Sequence, residues 1–400
     1  MKKKLDINDL IDNCRRSIVP TAENQLGTEY EIICLEKSSF ARLDYQGSPG
    51  IRELLEFVAE TPGFRRTEED GLLTGLKYDD FNITIEPGGQ LEASFSPCRT
   101  VGELAEKLSK YLGLLKEAEA LGIIFIAAGV DPVNSFDTVP WMPKQRYRIM
   151  RSYWEEKPGI SLYMMKQTAA IQVSIDYNSE EDAIRKIKNA IILSDILSSF
   201  FGNSPVYDHA YHYTNSFRKK IWCKTDKERS GVPAGCGNPI NSFADYVNYA
   251  LNIPMIFLFR EGQYHRLDKQ LTFRTFLKEG YAGIYPELAD WILHLNTIFS
   301  LVRFNNTTLE IRPFDSNQPD ILLAITALVE GLFYNTRSYD HLMGPAELVA
   351  VARENLSGEE AAYLVPLDLL IEEGRSPGEM VYEAFRAGGI NALIDRLRIG

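Results

Sequence analysis

The sequence predicts an α+β fold built around an antiparallel sheet, and three observations lead to this prediction. Several segments alternate apolar and polar residues with a period of two, as strands do when one face is buried. Two of these segments are separated by Pro-Gly-Gly, a combination typical of a hairpin turn. Segments with helical spacing lie between and after the strands, so helices are expected to flank the sheet.

Composition and charge narrow the class of protein. Of the 400 residues, 45% are hydrophobic and 24% are charged, as in ordinary soluble proteins, and the length fits one large catalytic domain or two ordinary ones. The net charge of −12 argues against nucleic-acid binding. The residues that follow Met1-Lys2-Lys3-Lys4 are too polar for a signal peptide, and no apolar run is long enough to span a bilayer.

The five cysteines stand at positions 14, 34, 98, 223 and 236. No pair has the spacing of a zinc site or a redox motif, which predicts reduced thiols in a cytoplasmic protein. The sequence is equally compatible with a monomer and a homodimer.

The first strand is predicted at residues 25–34, after a short amphipathic helix at 6–18 and before a helix at 51–59. Apolar and aromatic side chains fall on one face of this strand, and Glu29 and Glu31 lie on the other. Two carboxylates this close repel each other, so either a divalent cation holds them together or their face is exposed to water. Both explanations are open on this segment alone.

A hairpin is predicted next, with arms at 81–86 and 90–96. With a three-residue turn, Glu86 lies opposite Gln90 and shares a face with Glu92. The opposite, buried face consists of Phe81, Ile83, Ile85, Leu91, Ala93 and Phe95. The polar face of the hairpin therefore carries a carboxylate on each arm.

The middle of the chain is predicted to contain helices, two strands and a proline-marked loop. These elements are a helix at 104–121, a buried strand at 122–128, a loop at 131–144, a basic helix at 145–153, a strand at 169–177 and a helix from a capping box at 179–182 to about residue 200. The strand at 169–177 alternates most regularly, with Gln172 and Asp176 on its polar face.

The connection from 202 to 241 shows little periodicity, and a loop of this length is usually functional or disordered. Its basic residues are Arg218, Lys219, Lys220, Lys224, Lys227 and Arg229. They suit an anion-binding lid, although a solvated basic loop explains them equally well.

The last third of the chain is predicted to become helical. The expected elements are a helix at 243–251, a strand at 254–259, a helix at 286–299, a strand at 307–312 and helices from 319 to the end. Glu310 and Arg312 share a face of the strand at 307–312. We divide the chain into a catalytic domain at 1–335 and a helical extension at 336–400 that packs on the same domain.

Carboxylates occur on the polar faces of four predicted strand regions. They are Glu29, Glu31, Glu86, Glu92, Asp176 and Glu310. If these faces belong to one side of one sheet, the carboxylates need cations, because like charges a few ångströms apart destabilise one another. Magnesium-bound nucleotide would neutralise them, and Arg229 and Arg312 could hold its phosphates. Such an arrangement is typical of phosphoryl transfer.

Several stretches also resemble the plant and proteobacterial type of glutamate–cysteine ligase. They follow one another in consistent order over residues 20–335. The stretches are Gly27-Thr28-Glu29-Tyr30-Glu31, Ile85-Glu86-Pro87-Gly88-Gly89-Gln90-Leu91-Glu92, the run at 141–151, Gln172-Val173-Ser174-Ile175-Asp176, the run at 221–231, residues 246–251 with 253–255, and Thr272-Phe273-Arg274.

The resemblance implies a glutamine-synthetase-like catalytic sheet that uses ATP and Mg²⁺. Glutamate would be activated as γ-glutamyl phosphate, and the cysteine amine would then displace the phosphate. The implied metal ligands are Glu29, Glu31, Glu86, Glu92 and Glu310. The implied phosphate or carboxylate contacts are Arg229 and Arg312, and the implied substrate contacts are Lys144, Arg146, Tyr147, Gln172, Arg218 and Trp222.

The sequence departs from that family at a few positions. Tyr30 replaces a histidine, Ala93-Ser94-Phe95 replaces a small polar pair, and Phe304-Asn305-Asn306-Thr307 stands where a basic run is usual. The acceptor amine is therefore open: it could be cysteine, for glutathione or for another thiol such as ergothioneine, or a different amine. A non-catalytic nucleotide- or amino-acid-binding protein and a phosphotransferase on a related sheet are the other hypotheses.

Overall fold

A computed structural model describes residues 4–19, 24–157, 159–233, 239–267 and 271–400 of the chain. The strands are β1 Leu26–Glu36, β2 Arg65–Glu69, β3 Leu72–Lys77, β4 Phe81–Ile85, β5 Leu91–Phe95, β6 Ile123–Ile126, β7 Ala170–Ile175, β8 Val206–Tyr207, β9 Ala210–Tyr211, β10 Ser230–Gly231, β11 Phe257–Arg260, β12 Gln263–Arg266, β13 Phe299–Ser300, β14 Val302–Phe304 and β15 Leu309–Asp315.

Helices flank these strands and make up most of the chain after β15. They are α1 Ile7–Arg16, α2 Ile51–Ala59, α3 Val101–Ala118, α4 Gln145–Glu155, α5 Tyr163–Lys166, α6 Glu180–Phe200, α7 Phe217–Cys223, α8 Phe243–Leu251, α9 Phe273–Glu279, α10 Leu288–Leu295, α11 Pro319–Phe333, α12 Pro345–Glu354, α13 Gly358–Ala361, α14 Val365–Glu372 and α15 Pro377–Leu397. None of the helices in the described ranges is both long and apolar enough to cross a bilayer.

The central sheet is antiparallel, as predicted, and runs in the order β14-β15-β7-β1-β5-β4-β3-β2. The long strand β1 lies in its middle. The first half of β1 pairs with β7 and β5, and its second half, Ile33 to Glu36, pairs with β6. Helices bury one face of this α+β sheet; on the other face, α15 packs over the second half of β1, and the polar first half is left for a cavity.

The main hydrophobic core lies on the helix-covered face of the sheet. Tyr30, Ile32 and Cys34 of β1 belong to it, and the Tyr30 hydroxyl donates a 2.7 Å hydrogen bond to the carbonyl of Asn317. Burying large side chains of this kind stabilises the fold by about 1.5–3 kcal/mol each. Tyr30 is thus a core residue whose polar end is satisfied.

The predicted hairpin is confirmed in register. Phe81 pairs with Phe95 and Ile85 with Leu91, so the apolar residues share the buried face. The turn is closed by a 2.8 Å hydrogen bond from the Gly89 amide to the Glu86 carbonyl, and Gly89 has φ of 80°. Only residues without a Cβ adopt such a conformation freely, which explains the glycine.

Some elements differ from the sequence prediction. Strands β2 and β3 were not predicted. The connection at 202–241 contains α7 and several short strands rather than an irregular lid, although residues 234–238, with Cys236, lie outside the described residues.

Several element boundaries also move. The strand expected at 254–259 begins at Phe257, the helix expected at 286–299 spans Leu288–Leu295, and the strand expected at 307–312 spans Leu309–Asp315.

The last residues of the chain extend the sheet. The Ile399 amide donates to the Phe125 carbonyl, and the Ala127 amide donates to the Leu397 carbonyl, each at 2.9 Å. Beneath α15 lies a second, smaller apolar cluster formed by Ile33, Leu35, Ile124, Ile126, Leu393, Ile394 and Leu397, with a few neighbours. The predicted extension at 336–400 therefore packs directly on the central sheet, while the division into two parts stays a prediction.

Candidate active site

A diagonal row of charged side chains crosses the open face of the sheet. Glu31 pairs with Glu92 between β1 and β5, and Glu29 pairs with Gln172 between β1 and β7. At the other end of the row, Glu310 of β15 pairs with Arg303 of β14. The register of five strands therefore brings together residues that are nearly 300 positions apart in the sequence.

This row forms the floor of a cavity of about 320 Å³. The residues that line it are Glu29, Glu31, Glu86, Pro87, Gln90, Glu92, Arg146, Tyr147, Met150, Met164, Met165, Thr168, Gln172, Arg218, Trp222, Phe257, Leu293, Asn296, Thr297, Phe299, Arg303 and Arg312. Ten of the thirteen predicted site residues line the cavity. The other three, Lys144, Arg229 and Glu310, do not. Carboxylates and arginines thus line the same cavity.

Three of the carboxylates are held in surroundings that disfavour their negative charge. Burial, together with the charges of Glu92 and Glu86, raises the pKa of Glu31 to about 8. Burial and Glu86 raise the pKa of Glu92 to about 7, and burial with Glu92 and Glu310 raises the pKa of Glu29 well above its usual value. A cation in the cavity would relieve this mutual repulsion.

Hydrogen bonds fix the orientation of two of these carboxylates. Glu31 accepts from the Ala170 amide at 2.8 Å and from the Gln172 side-chain amide at 3.0 Å. Glu92 accepts from the Thr84 hydroxyl at 2.9 Å and from the Ser94 hydroxyl at 3.3 Å. Because these bonds come from the sheet itself, the acidic floor is preorganised.

Glu310 behaves differently from the other carboxylates. Although burial acts to raise its pKa, Arg303 and Arg312 hold the pKa of Glu310 at about 2. Arg303 binds it with two N–H groups at 2.8 Å and 3.2 Å, and Arg312 contacts both Glu310 and Gln172. Glu310 therefore orients two arginines instead of facing the cavity, which does not match its predicted place among metal ligands.

Arg303 is a site residue that sequence analysis missed. It lies immediately before the stretch 304–307, where the expected basic run was judged to be missing. Its pairing with Glu310 across β14 and β15 supplies a positive charge at that place. The alternation of side chains along a strand could have identified Arg303, because it faces the same side of the sheet as Glu310. However, β14 is only three residues long and was not predicted.

The start of α4 places Arg146 and Tyr147 at one side of the cavity. Arg146, with 42% of its side chain exposed, lies 3.7 Å from Glu86. The Tyr147 hydroxyl donates to the Ile85 carbonyl at 2.7 Å and lies 3.3 Å from Glu86. Lys144 also donates to the Ile85 carbonyl, at 2.8 Å, and burial with the nearby Arg146 lowers the pKa of Lys144 to about 8. Lys144 therefore supports the turn from behind the cavity wall.

Helix α7 contributes Arg218 and Trp222 to the opposite wall. Residues four apart lie on the same face of a helix, so both side chains reach the cavity. The Arg218 guanidinium donates to the Arg312 carbonyl at 3.3 Å and 3.4 Å, but its Nε atom has no partner. The Nε1 atom of Trp222 is also buried without a partner. These two N–H groups can donate hydrogen bonds to the oxygen atoms of a bound ligand.

Arg229 lies outside the cavity with its guanidinium fully engaged. It donates to Asp226 at 3.1 Å, to the Tyr153 hydroxyl at 2.9 Å, and to the carbonyls of Thr297 at 3.0 Å and Pro254 at 2.6 Å. The predicted contact with phosphate does not match this placement, because no N–H group of Arg229 faces the cavity. Arg229 instead holds the cavity wall at Thr297 from behind.

The acidic floor has the donor chemistry of a metal site but, within the described part of the chain, no preformed ligand cluster. Among the described residues, no three His, Cys, Asp or Glu side chains surround a common point as metal ligands would. The donor set nevertheless fits a hard divalent cation, because carboxylate oxygens are the ligands that Mg²⁺ prefers and the repulsion among Glu29, Glu31 and Glu92 calls for a positive charge.

An apolar part of the cavity was not predicted. It is formed by Met150, Met164, Met165, Phe257, Leu293 and Phe299. These residues come from separate elements and carry no local pattern that distinguishes them from core residues, so the sequence offered no signal for them. Their thioether and aromatic groups suit an apolar or sulfur-bearing ligand part.

The model of the glutamate-cysteine ligase family 2 (GCS2) matches residues 25–347. The chloroplastic glutamate–cysteine ligase of Medicago truncatula is 34% identical over 340 residues, covering 84% of this chain and 66% of that protein. The chloroplastic enzyme of Arabidopsis thaliana is 35% identical over 324 residues, covering 80% of this chain and 61% of that protein. The chain therefore spans less than two thirds of these curated relatives.

A solved structure has the same fold. It is the glutamate–cysteine ligase of Francisella tularensis in complex with AMP, with a TM-score of 0.56, 11% sequence identity, and coverage of 94% of this chain and 87% of that one. At this identity the likeness concerns the fold, and it agrees with the α+β architecture described above.

Proposed function

The chain belongs to glutamate–cysteine ligase family 2, and we propose that it joins the γ-carboxylate of L-glutamate to the amine of L-cysteine at the expense of ATP. The observation that carries this proposal is the acidic floor of the cavity, where Glu29, Glu31, Glu86 and Glu92 line the same space as Arg146, Arg218 and Arg312. Phosphoryl transfer requires little covalent chemistry from the protein, and positioning with charge stabilisation supplies most of the catalysis.

The proposed reaction has two steps. A γ-carboxylate oxygen of glutamate attacks the γ-phosphorus of ATP, which forms γ-glutamyl phosphate and releases ADP. The amine nitrogen then attacks the γ-carbonyl carbon, the C–O bond to phosphate breaks, and phosphate leaves as the amine loses a proton. The products are γ-glutamylcysteine, ADP and phosphate.

Arg218 and Trp222 are proposed to bind the α-carboxylate of glutamate. Each has a buried N–H group without a protein partner at the cavity wall. A buried donor without a partner costs about 1–3 kcal/mol, which an incoming carboxylate would offset. Gln172 lies beside them on the floor, held by Glu31 and Arg312.

Phosphate contacts are proposed for Arg312 on the floor and for Arg146 at the mouth. Both guanidinium groups line the cavity, and a guanidinium binds phosphate oxygens with two parallel N–H bonds. Arg303 holds Glu310, which in turn orients Arg312. Glu310 and Arg229 are assigned to positioning rather than to contact with substrate.

Magnesium would be held by Glu29, Glu31, Glu86 and Glu92. When bound, it would neutralise the phosphate oxygens and the carboxylates at the same time. Tyr147 and the turn at 87–89 keep Glu86 in place, and the strand register keeps the other three in a row.

The apolar part of the cavity is proposed to receive the amine substrate. It offers methionine and aromatic side chains but no charged group, which suits a small thiol side chain such as that of cysteine. A pathway toward glutathione, or toward another thiol, follows from that product.

The test is ADP release with Mg²⁺-ATP and glutamate, measured with and without each of a panel of amines. Stimulation by cysteine, with γ-glutamylcysteine detected by mass spectrometry, is the expected result. Stimulation by another amine would keep the mechanism and replace the acceptor. A stable phosphorylated product without a new amide would indicate a phosphotransferase, and ATP binding without turnover would indicate a binding protein.

A cytoplasmic location is proposed as well. Cys14, Cys34, Cys98 and Cys223, the cysteines in the described ranges, form no disulfide with one another. Free thiols suit a reducing compartment.

A further inference from the structure

We propose that Asp315 is a positioning residue that fixes the guanidinium of Arg218 at the cavity wall and thereby sets the affinity for glutamate. Asp315 ends β15 and lies behind the wall, so it does not touch the substrate itself. This inference rests on the proposed function, because it assigns a role in binding the glutamate carboxylate.

The carboxylate of Asp315 is completely buried and accepts three close hydrogen bonds. Its Oδ2 atom accepts from the Asn203 amide at 2.9 Å and from the Ser204 hydroxyl at 2.6 Å. Its Oδ1 atom accepts from the Ser216 hydroxyl at 2.9 Å. A buried carboxylate with this many donors has one orientation, because any rotation would leave donors unpaired.

The backbone at Gly129 passes close to the carboxylate of Asp315. A Cβ atom placed on Gly129 would lie 2.3 Å from the Oδ2 atom of Asp315, closer than atoms can approach. Only glycine leaves room for the carboxylate at this point. The close approach restricts the position of Asp315 from a side that carries no hydrogen bond.

The partners of Asp315 also hold the start of α7. Ser216 is the N-cap of this helix and accepts from the Lys219 amide at 3.1 Å. Ser204 accepts from the Arg218 amide at 3.2 Å. One carboxylate therefore organises both the first turn of α7 and the backbone of the residue that reaches the cavity.

Asp315 also supplies the countercharge of Arg218. The Nη1 atom of Arg218 lies 3.9 Å from Asp315, and both Asp315 and Glu31 attract its positive charge. Asp315 is behind the wall and Glu31 is on the floor, so the two carboxylates draw the guanidinium in different directions. Without the charge of Asp315, we expect Arg218 to move toward Glu31 and to lose its free Nε donor.

The test compares steady-state kinetics of Asp315→Asn with the parent protein. Asparagine keeps the shape but removes the charge and turns an acceptor into a donor. We expect the KM for glutamate to rise roughly tenfold or more, as for a lost charged hydrogen bond, while the KM for ATP changes less than about twofold. Asp182→Asn is the control, because Asp182 is also paired with basic side chains but lies outside the cavity.

A double-mutant cycle separates positioning from a general structural role. If Asp315 acts through Arg218, Asp315→Asn should add little to the effect of Arg218→Gln on the KM for glutamate. Additive effects, equal changes in both KM values, or an unchanged KM would overturn the proposal. If Asp315→Asn does not fold, as judged by circular dichroism, the same cycle with Ser204→Ala tests it, since this change removes only one of the three bonds.

Calorimetric measurement of glutamate binding distinguishes a failure of this proposal from a failure of the proposed function. A parent protein that binds glutamate but forms no amide would contradict the ligase proposal, and the affinity of Asp315→Asn would still decide the role of Asp315. A parent that does not bind glutamate would overturn both proposals.

Discussion

At the scale of single residues, neighbours on the same sheet face have opposite electrostatic surroundings. Glu310 is surrounded by Arg303 and Arg312, which hold its pKa at about 2 despite its burial. Glu92 lies near Glu86, and burial with that like charge raises its pKa to about 7. The first arrangement is complete within the protein, whereas the second requires a cation from solution, so the acidic end of the row is where Mg²⁺-ATP is expected to bind.

The exchange Glu92→Gln is expected to lower turnover by about 100-fold or more while the protein still folds. Turnover should fall because a neutral amide cannot serve as an anionic metal ligand. Folding should survive because the substitution removes a repulsion among buried carboxylates, so the melting temperature without Mg²⁺ should not fall. ADP release and thermal melts with and without Mg²⁺ check both points. Glu117→Gln, an exposed position on α3, is the matched control. Unchanged turnover in Glu92→Gln would contradict the metal assignment.

Arg229 is expected to matter for stability more than for phosphate binding. Its replacement, Arg229→Met, leaves Asp226 buried with only Lys157 as a countercharge and removes donors from the Thr297 and Pro254 carbonyls. Breaking a buried pair of this kind costs about 3–5 kcal/mol. Urea unfolding measures the loss. If Arg229→Met folded with parental stability but lost ATP binding, this result would contradict the structural role and support the phosphate contact predicted from the sequence.

At the scale of elements, short helices and turns decide which side chains face the cavity. Helix α7 has only seven residues, yet it brings Arg218 and Trp222 to the wall because they lie four positions apart. The hairpin turn brings Glu86, and Gln90 fixes this turn by donating to the Thr168 carbonyl at 2.7 Å. The wall is therefore held by hydrogen bonds between elements and not by any one element.

Helix α11 carries a half-buried acid, Glu330, whose titration should change stability. Burial, with a smaller contribution from Glu360, raises the pKa of Glu330 to about 7, and one of its oxygen atoms has no partner. Because the folded pKa exceeds that of an unfolded glutamate, the protonated acid stabilises the fold below about pH 4.5. This stabilisation is lost as the pH rises through 7.

The variant Glu330→Gln should therefore be more stable than the parent at pH 8 and nearly equal to it at pH 4.5. The difference is expected to be roughly 1 kcal/mol, because the partly exposed carboxyl is screened by solvent. Urea unfolding at both pH values measures it, with Glu117→Gln as the control. A parent that was the more stable of the two at pH 8 would contradict the assigned shift.

At the scale of the whole molecule, the chain end completes the sheet that carries the site. Strand β6 pairs with β1 on one side. On its other side the Phe125 carbonyl accepts from the Ile399 amide, and the adjoining Ala127 amide donates to the Leu397 carbonyl. Leu393 and Leu397 of α15 pack against Ile33 and Leu35, which follow Glu29 and Glu31 on the same face of β1. The helical extension and the catalytic sheet should accordingly unfold together.

The substitution Leu393→Ala tests this coupling. Leu393 is fully buried, so its truncation is expected to cost about 2–5 kcal/mol and to shift a single unfolding transition. Leu369→Ala, at a side chain that is 54% exposed in the same extension, should change stability by less than about 0.5 kcal/mol. An early, separate transition in Leu393→Ala would instead mean that the extension is an independent domain.

The sequence by itself determined the sheet class, the hairpin register and the side of each strand on which the acids lie. Alternation at period two is a local property, and a strand with one buried face must show it. Glu29, Glu31, Glu86 and Glu92 were found in this way and share one cavity. Strand β2 was not predicted, because its residues, Arg65–Glu69, are mostly exposed and show no apolar alternation.

Only the tertiary structure decided which charges meet. It placed Arg303 beside Glu310, turned Arg229 away from the cavity and set Asp315 behind Arg218, although nothing in their spacing along the chain distinguishes these roles. The reason is physical: the energy of a buried charge depends on the partners within a few ångströms, and folding brings those partners from distant parts of the sequence. Alternation along a strand predicts which face of the sheet a charged residue occupies, whereas its ion-pair partner depends on how the elements pack.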